Sequence, residues 1–449
     1  MRWGDESHRH GEAGSLMHRI GILVVVLLLA AGGATYAGWI PTIGDQASDP
    51  PSELAEPPAI VPGIELAEPA AAGPVLEATS GRPALPARIE QAVEGALSDN
   101  SLGRSVGFVA QDLGDPATAW RTGASVVTPA STLKLLTVAT VLKVLGPDHR
   151  FHTSVVAGRT RQEIVLVGGG DPLLTDKMPD DSVHPTPATL AELARSTTRE
   201  LGLQGVRRVR LAYDTSLFSG PAVNPAWEAD YVTDDVVSPI VPLWVDEGRE
   251  IAGYAARVPD PALVAAQRFA ALLAERGVRV QGAPVQKPAP RGARELAAVE
   301  SPPLVEIVQH VLEVSDNEAA EVLLRQAAIA SGRAGSSLAG VQTVRATLAG
   351  LGIRLQGARL YDGSGLARGN RLPIQALVDV LALAADPEHH ELNAVLTTLP
   401  VAGFTGSLTY RFVVVAQDGL GRVRAKTGTL TGVHGLAGLA VTADGRPLV

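Results

Sequence analysis

The stretch TPASTLKLLTVATVL at residues 128–142 sets the first constraint on how this chain can fold. Pro129 near its start and Gly146-Pro147 beyond its end bracket a helix of about four turns. Leu135, Val138, Leu142 and Leu145 follow the three-four rhythm of one face, while Leu136 and Val141 cover another side. A helix apolar on most faces is buried on most faces, so other layers must surround it. Yet Lys134 stands inside it, three residues after Ser131, in a chain with only five lysines among its 38 basic residues. Residues three apart on a helix are neighbours, so this amine can reach the serine hydroxyl.

Serine is a weak nucleophile until a base takes its proton. A lysine can be that base when burial or a nearby cation makes it give up its charge, whereas arginine cannot. The start of a helix also offers backbone N–H groups to an oxyanion. An isolated S-x-x-K reads more readily as a capping serine followed by a snorkelling lysine, so the motif needs partners elsewhere in the chain. A second amine stands in Lys426-Thr427-Gly428-Thr429, at the end of an expected strand, where Gly428 would let a substrate backbone approach the sheet edge. The third element is Ser315-Asp316-Asn317, although Ser315 with Glu318 also forms a capping box before an apolar run at 319–324. The same tripeptide at Ser98-Asp99-Asn100 falls before Ser131, between a helix and a strand, and reads as surface turn chemistry. The ordered set S-x-x-K, S-D-N and K-T-G is shared by penicillin-binding proteins and class A β-lactamases. Two of the five lysines occupy its two lysine positions.

Composition narrows the choices. With 449 residues, 46% of them hydrophobic, the chain can bury at least one large core, and its length predicts two or three domains. A net charge of −9 without any basic stripe argues against a nucleic-acid partner. There is no cysteine, hence no disulfide and no thiol nucleophile. The histidines cluster at the N-terminus or stand singly apart from His389-His390, without metal-ligand spacing, so neither a metal nor a cofactor is expected. Asp362 reads as a turn-stabilising aspartate, the glycine runs at 168–170 and 363–365 as turns, and His434 as a loop residue.

Residues 20–40 are apolar or small, with Arg2, Arg9 and Arg19 ahead of them and no Lys or Arg from 20 to 81. That is the positive-inside pattern: a cytoplasmic leader at 1–19 and the bulk of the chain exported. A transmembrane anchor and a cleaved signal peptide both fit the 20–40 segment. Residues 41–87, with ten prolines and LAEP at 54–57 recurring at 66–69, read as an extended acidic tether.

Folded sequence begins near 88, with a helix to 97 and a hairpin built from 106–111 and 119–121. Short strands (163–167, 206–212, 278–281) then alternate with helices (188–201, 262–276), which predicts an inserted domain over 152–290. Helices dominate from 301, followed by expected strands at 411–417, 421–426 and 436–442. The order predicts an α+β fold in which 88–151 and 291–449 form one domain of helices on an antiparallel sheet. Residues 447–449 follow an Asp444-Gly445 turn where a partner strand would begin, so the last strand is expected to be missing.

With Val167-Gly168-Gly169-Gly170-Asp171-Pro172, Tyr361-Asp362-Gly363-Ser364-Gly365-Leu366, Leu399-Pro400-Val401-Ala402-Gly403 and Thr405-Gly406-Ser407-Leu408 added to the three motifs, the chain resembles the D-alanyl-D-alanine carboxypeptidases of the penicillin-binding protein 4 type, the S13 peptidase family. The resemblance covers nearly everything from about 88 to 449. It implies a penicillin-binding-protein/β-lactamase-like transpeptidase fold with an insertion between Ser131 and Ser315. It also implies a serine carboxypeptidase, with DD-endopeptidase activity as an addition, acting on peptidoglycan stem peptides outside the membrane and inhibited by β-lactams. By motif, Ser131 would be the nucleophile and Lys134 its base, while Ser315 and Lys426 would relay a proton to the leaving amine. Asn317 would hold the substrate amide, and Thr427, Gly428 and Thr429 would line the substrate. A β-lactamase and a catalytically silent cell-wall binding module are the alternatives.

Overall fold

The computed structural model describes residues 83–176, 183–253, 255–414 and 416–449. The leader, the 20–40 segment and nearly all of the 41–87 tether therefore lie outside the described residues. Helix α1 (Pro86–Leu97), with proline in its first turn, is followed by the hairpin of β1 (Gly107–Asp112) and β2 (Asp115–Gly123), as the sequence predicts. A short β3 (Val126–Val127) leads into a 3-10 turn at Ala130–Leu133 and then α2 (Lys134–Leu145). Every residue of α2 from Lys134 to Leu142 is buried, as its apolar girth required.

Next come β4 (His152–Ala157), β5 (Glu163–Val167), α3 (Leu190–Leu203), β6 (Arg208–Asp214), α4 (Pro261–Glu275), β7 (Arg279–Val280), β8 (Val285–Gln286) and β9 (Glu295–Glu300). The remainder is α5 (Leu304–Glu313), α6 (Asn317–Ala330), α7 (Ser337–Gly350), β10 (Leu372–Pro373), α8 (Ile374–Ala385), α9 (Ala394–Thr397), β11 (Val423–Leu430), β12 (Val433–Val441) and β13 (Pro447–Leu448). An antiparallel sheet runs in the order β11-β12-β13-β1-β2. A second, mixed sheet runs β7-β6-β5-β4-β9, with β8 also paired to β6. It reaches past residue 290, because β9 pairs with β4 and its Ala297 and Val299 enter the same core.

The largest core surrounds α2 with apolar residues of α5, α6, α7, α8 and α9, and with Leu439 from the first sheet. A separate core joins the second sheet to α3 and α4. A third cluster sets Trp227, Ile240 and Trp244 against Val322 of α6 and Leu366. No helix among the described residues is long and apolar enough to cross a membrane.

Two expectations change. In place of the strand expected at 411–417, residues 411–414 form bends and Gln417 opens a 3-10 turn: Phe412 and Ala416 take positive φ (71° and 58°), and Phe412 turns into a small core with Ala402, Leu408 and Ala425. That local burial overrides the β-propensity of the valine run. Residues 447–448, where the sequence predicts a partner strand to begin, form a two-residue strand between β12 and β1, and Arg446 anchors it to the buried carboxylate of Asp112 (2.7 Å). Finally, Ser315 does not cap α6. Asp316 does, its Oδ1 accepting from Ala319 N (2.9 Å), while Glu318 pairs with Arg257 instead of closing a capping box.

Candidate active site

Ser131 lies in the 3-10 turn that precedes α2, and the backbone there is tightly specified. Ala130 is fully buried with φ 46°, a left-handed conformation costing a non-glycine residue about 1–2 kcal/mol. Gly365 is pressed against this turn: a Cβ there would stand 1.9 Å from the Ala130 carbonyl oxygen, so only glycine lets the 363–365 loop approach the serine. On the other side, a Cβ at Gly428 would lie 2.7 Å from the Pro129 carbonyl oxygen, so β11 runs directly alongside. The sequence predicts a substrate backbone close to Gly428; the close neighbour in the structure is the serine turn.

Lys134 is completely buried. Its Nζ lies 3.0 Å from Ser131 Oγ, 2.8 Å from Asn317 Oδ1 and 2.9 Å from the Ser364 carbonyl oxygen. The predicted reach from Lys134 to Ser131 is therefore present, and the same amine gathers Asn317 from α6. Burial pushes Lys134 down to about 8, against the pull of the Asp316, Asp362, Glu321 and Glu318 carboxyl groups. Lys426, also fully buried, donates to the Thr427 carbonyl (3.0 Å). Burial first, and then the Lys134 charge, push it down to about 6. The two amines repel each other's charge, and burial disfavours both. Together the pair carries roughly one positive charge near neutral pH.

Ser315 sits half-buried two residues before Asn317, with φ 64°, on the rim of a cleft of about 780 Å³ shared with Asn317, Arg249, Arg257 and His310. Thr427 Oγ1 donates to Ser407 Oγ (3.1 Å), and Thr429 is exposed opposite His434 in the β11–β12 ladder. His434 is accordingly a strand residue facing solvent. The second S-D-N stays apart from all this: Asp99 caps a 3-10 turn at Asn100–Leu102 through Ser101 N (2.8 Å). Asp362 is the turn stabiliser expected of it, accepting from Gly365 N, Ala367 N, Asn370 Nδ2 and Trp227 Nε1.

Sequence reasoning missed Ser364 as a partner of the lysine, and Glu321, whose carboxylate holds the loop carrying Ser364. The glycines flanking Ser364 and the four-residue step from Asn317 to Glu321 were the available signals. It also missed the group formed by Glu247, His310 and Asp316, whose ligand-type atoms lie within 4.8 Å of one another. Burial opposes a charge on His310, yet the carboxylates of Asp316 (3.2 Å) and Glu247 (3.8 Å) beside it raise it to about 10, so the group holds together as an ion-pair cluster.

A serine beside a buried lysine at a helix start, an asparagine on that lysine and a second lysine on the adjoining strand define a serine acyl-transfer enzyme of the penicillin-recognising fold. The chain belongs to the D-Ala-D-Ala carboxypeptidase 3 (S13) family, which matches residues 89–256 and 249–449. It is 34% identical over 369 residues to a carboxypeptidase of Mycobacterium tuberculosis, covering 81% of this chain and 78% of that protein. It is 31% identical over 436 residues to carboxypeptidase DacB of Mycolicibacterium smegmatis, covering 96% and 90% respectively. The fold resembles the crystal structure of penicillin-binding protein 4 from Haemophilus influenzae, with TM-score 0.65 and 22% identity over 78% of this chain and 90% of that one.

Proposed function

We propose that the protein is a serine D-Ala-D-Ala carboxypeptidase that trims peptidoglycan stem peptides through an acyl-enzyme on Ser131. The observation that carries this reading is the Lys134 amine, buried and within 3.0 Å of Ser131 Oγ. In the neutral amine, Asn317 Oδ1 and the Ser364 carbonyl take the two N–H groups, and the lone pair faces the serine hydroxyl. Ser131 Oγ attacks the carbonyl of the penultimate D-alanine, and its proton passes to Lys134. Backbone N–H groups of Ser131 and Thr429 receive the oxyanion, and the dipole of α2 favours it. Ser315 and Lys426 pass a proton to the leaving D-alanine amine; water then attacks the acyl carbonyl and gives a proton to the Ser315–Lys426 pair, and Lys134 returns its proton to Ser131 Oγ as the acid leaves. Asn317 holds the substrate amide. The terminal carboxylate lies against Thr427, Gly428 and Thr429, restoring the charge of Lys426 as it binds.

β-Lactams acylate Ser131 as mimics of the same dipeptide, and cross-linked peptides carrying the same terminus at an internal position are endopeptidase substrates. The work is extracytoplasmic, and the 20–40 segment delivers the chain there as an anchor or a signal peptide.

The test is mass spectrometry after brief penicillin exposure, together with D-alanine release from diacetyl-lysyl-D-Ala-D-Ala. The expected result is a single adduct on Ser131 and release abolished by Ser131→Ala. An adduct elsewhere, or equal release by both proteins, overturns the reading. Rapid turnover of a chromogenic cephalosporin, in place of stoichiometric labelling, would identify a β-lactamase.

A further inference from the structure

We propose that Glu321 is a positioning residue that holds the Ser364 carbonyl against Lys134 and, through its own charge, sets how firmly that amine keeps its proton. The proposal takes the meaning of the amine as a base from the acyl-enzyme reading above; the contacts stand by themselves. A neutral lysine has two N–H groups and one lone pair, so the lone pair points wherever the two acceptors leave it. Both acceptors are controlled from α6. Asn317 is one of them, and Glu321 lies four residues on, one turn along the same face. Its Oε1 accepts from Gly363 N (2.9 Å) and Ser364 N (2.7 Å). From the opposite side Thr137 Oγ1 donates to the Gly363 carbonyl (2.8 Å), so the peptide between Gly363 and Ser364 is gripped at both ends. That grip presents the Ser364 carbonyl oxygen to Lys134 at 2.9 Å.

The charge of Glu321 is equally exposed to the lysine. The side chain is fully buried, and its Oε2 has no hydrogen-bond partner among the described residues. Burial first, then the neighbouring Asp362 carboxylate, push Glu321 up to about 7. The groups facing Lys134 are Asp316, Asp362, Glu321 and Glu318, which favour its proton, with Lys426 as the opposing cation. Glu321 in turn faces Asp362 and acts on Arg325, whose guanidinium is engaged by the Ser219 and Pro221 carbonyls. Neutralising Glu321 therefore removes one of the four charges that keep the base protonated.

Three variants separate position from charge. Glu321→Gln keeps an oxygen for both N–H groups and removes the charge; Glu321→Asp keeps the charge but is too short to reach both; Glu321→Ala removes both. With ¹³Cε-labelled lysine, the five signals (Lys134, Lys143, Lys177, Lys287 and Lys426) are assigned by single Lys→Arg variants, and Lys134 is titrated directly. In Glu321→Gln its midpoint is expected to fall by roughly half a pH unit or more, and the acid limb of acylation by a fluorescent penicillin to move with it. The plateau rate stays within about twofold in Gln and drops about tenfold or more in Asp and Ala. An unmoved Lys134 midpoint in Glu321→Gln overturns the charge role. Wild-type plateau rates in folded Glu321→Asp overturn the positioning role. A wild-type protein that takes no penicillin sinks the acyl-enzyme reading, and the lysine titration still decides whether Glu321 governs the amine.

Discussion

An ammonium group with no exposure to water is a poor design for holding charge and a good one for releasing it. Lys134 meets that description, and its three polar contacts are short enough to keep it from snorkelling out. Lys134→Arg is expected to retain the positive charge and much of the fold, and to lose acylation by penicillin by about a thousandfold or more, because a guanidinium gives up no proton in this range. Intact-protein mass spectrometry over a time course measures it. For the unaltered protein, the acylation rate is expected to climb as pH rises through about 8, where Lys134 becomes neutral. A rate independent of pH between 6 and 9 would show that another group takes the serine proton. Gly365→Ala tests the turn itself. The added methyl would overlap the Ala130 carbonyl at a position with φ 88°, so a loss of about 2 kcal/mol or more in stability is expected in urea denaturation.

At the level of elements, the start of α6 shows which parts of the site could be read from the chain. Ser315, Asn317 and Lys134 announce themselves by type and spacing, and the apolar girth of α2 reveals a central helix without help from any partner. The local S-x-x-E pattern points to Ser315 as the cap, yet Asp316 has the role. What decided it is distant in sequence: Glu318 is drawn away by Arg257 and by Ser238 N, and His310 from α5 braces the other oxygen of Asp316. Ser364 and Glu321 escaped for the same reason, since a carbonyl acceptor and its support have no motif of their own. The His310 brace has a measurable sign. Its folded value near 10 exceeds the ordinary 6.5, so its stabilisation is fully present below about 6.5 and is lost as pH rises through about 10. His310→Asn is expected to lower the melting temperature at pH 6 and to match the unaltered protein by pH 10.5. A gap that stays constant with pH would mean the imidazole acts by packing alone.

On the scale of the whole molecule, the two sheets form separate cores, and α6, which packs in the first of them, also reaches the segment between β6 and α4 through Val322 and Glu318. Glu318 lies under the segment carrying Ser238 and Arg257, and Asp362 receives the Trp227 indole at 2.9 Å. The Arg257–Glu318 pair is almost fully enclosed, with side-chain exposures of 4% and 3%. Removing one partner strands the other in a dry setting, so Arg257→Met is expected to cost about 3–5 kcal/mol, while Arg257→Met with Glu318→Gln recovers most of it. Thermal unfolding of the two variants and the single Glu318→Gln completes the cycle. Additive losses would mean the segment carrying Arg257 and α6 are held by something else.

Ser131 and Lys134 are near neighbours in the chain, but the acceptors that orient the lysine lie 183 and 230 residues further on. A growing or translocating chain therefore displays the serine and its amine long before Asn317 and the Ser364 carbonyl exist to direct them. Until those later segments arrive, the lysine is hydrated and charged and the serine is an ordinary alcohol. On the role proposed for Ser131, the order of synthesis thus acts as a built-in safety catch: the nucleophile stays dormant through manufacture and is armed only when the fold closes around it.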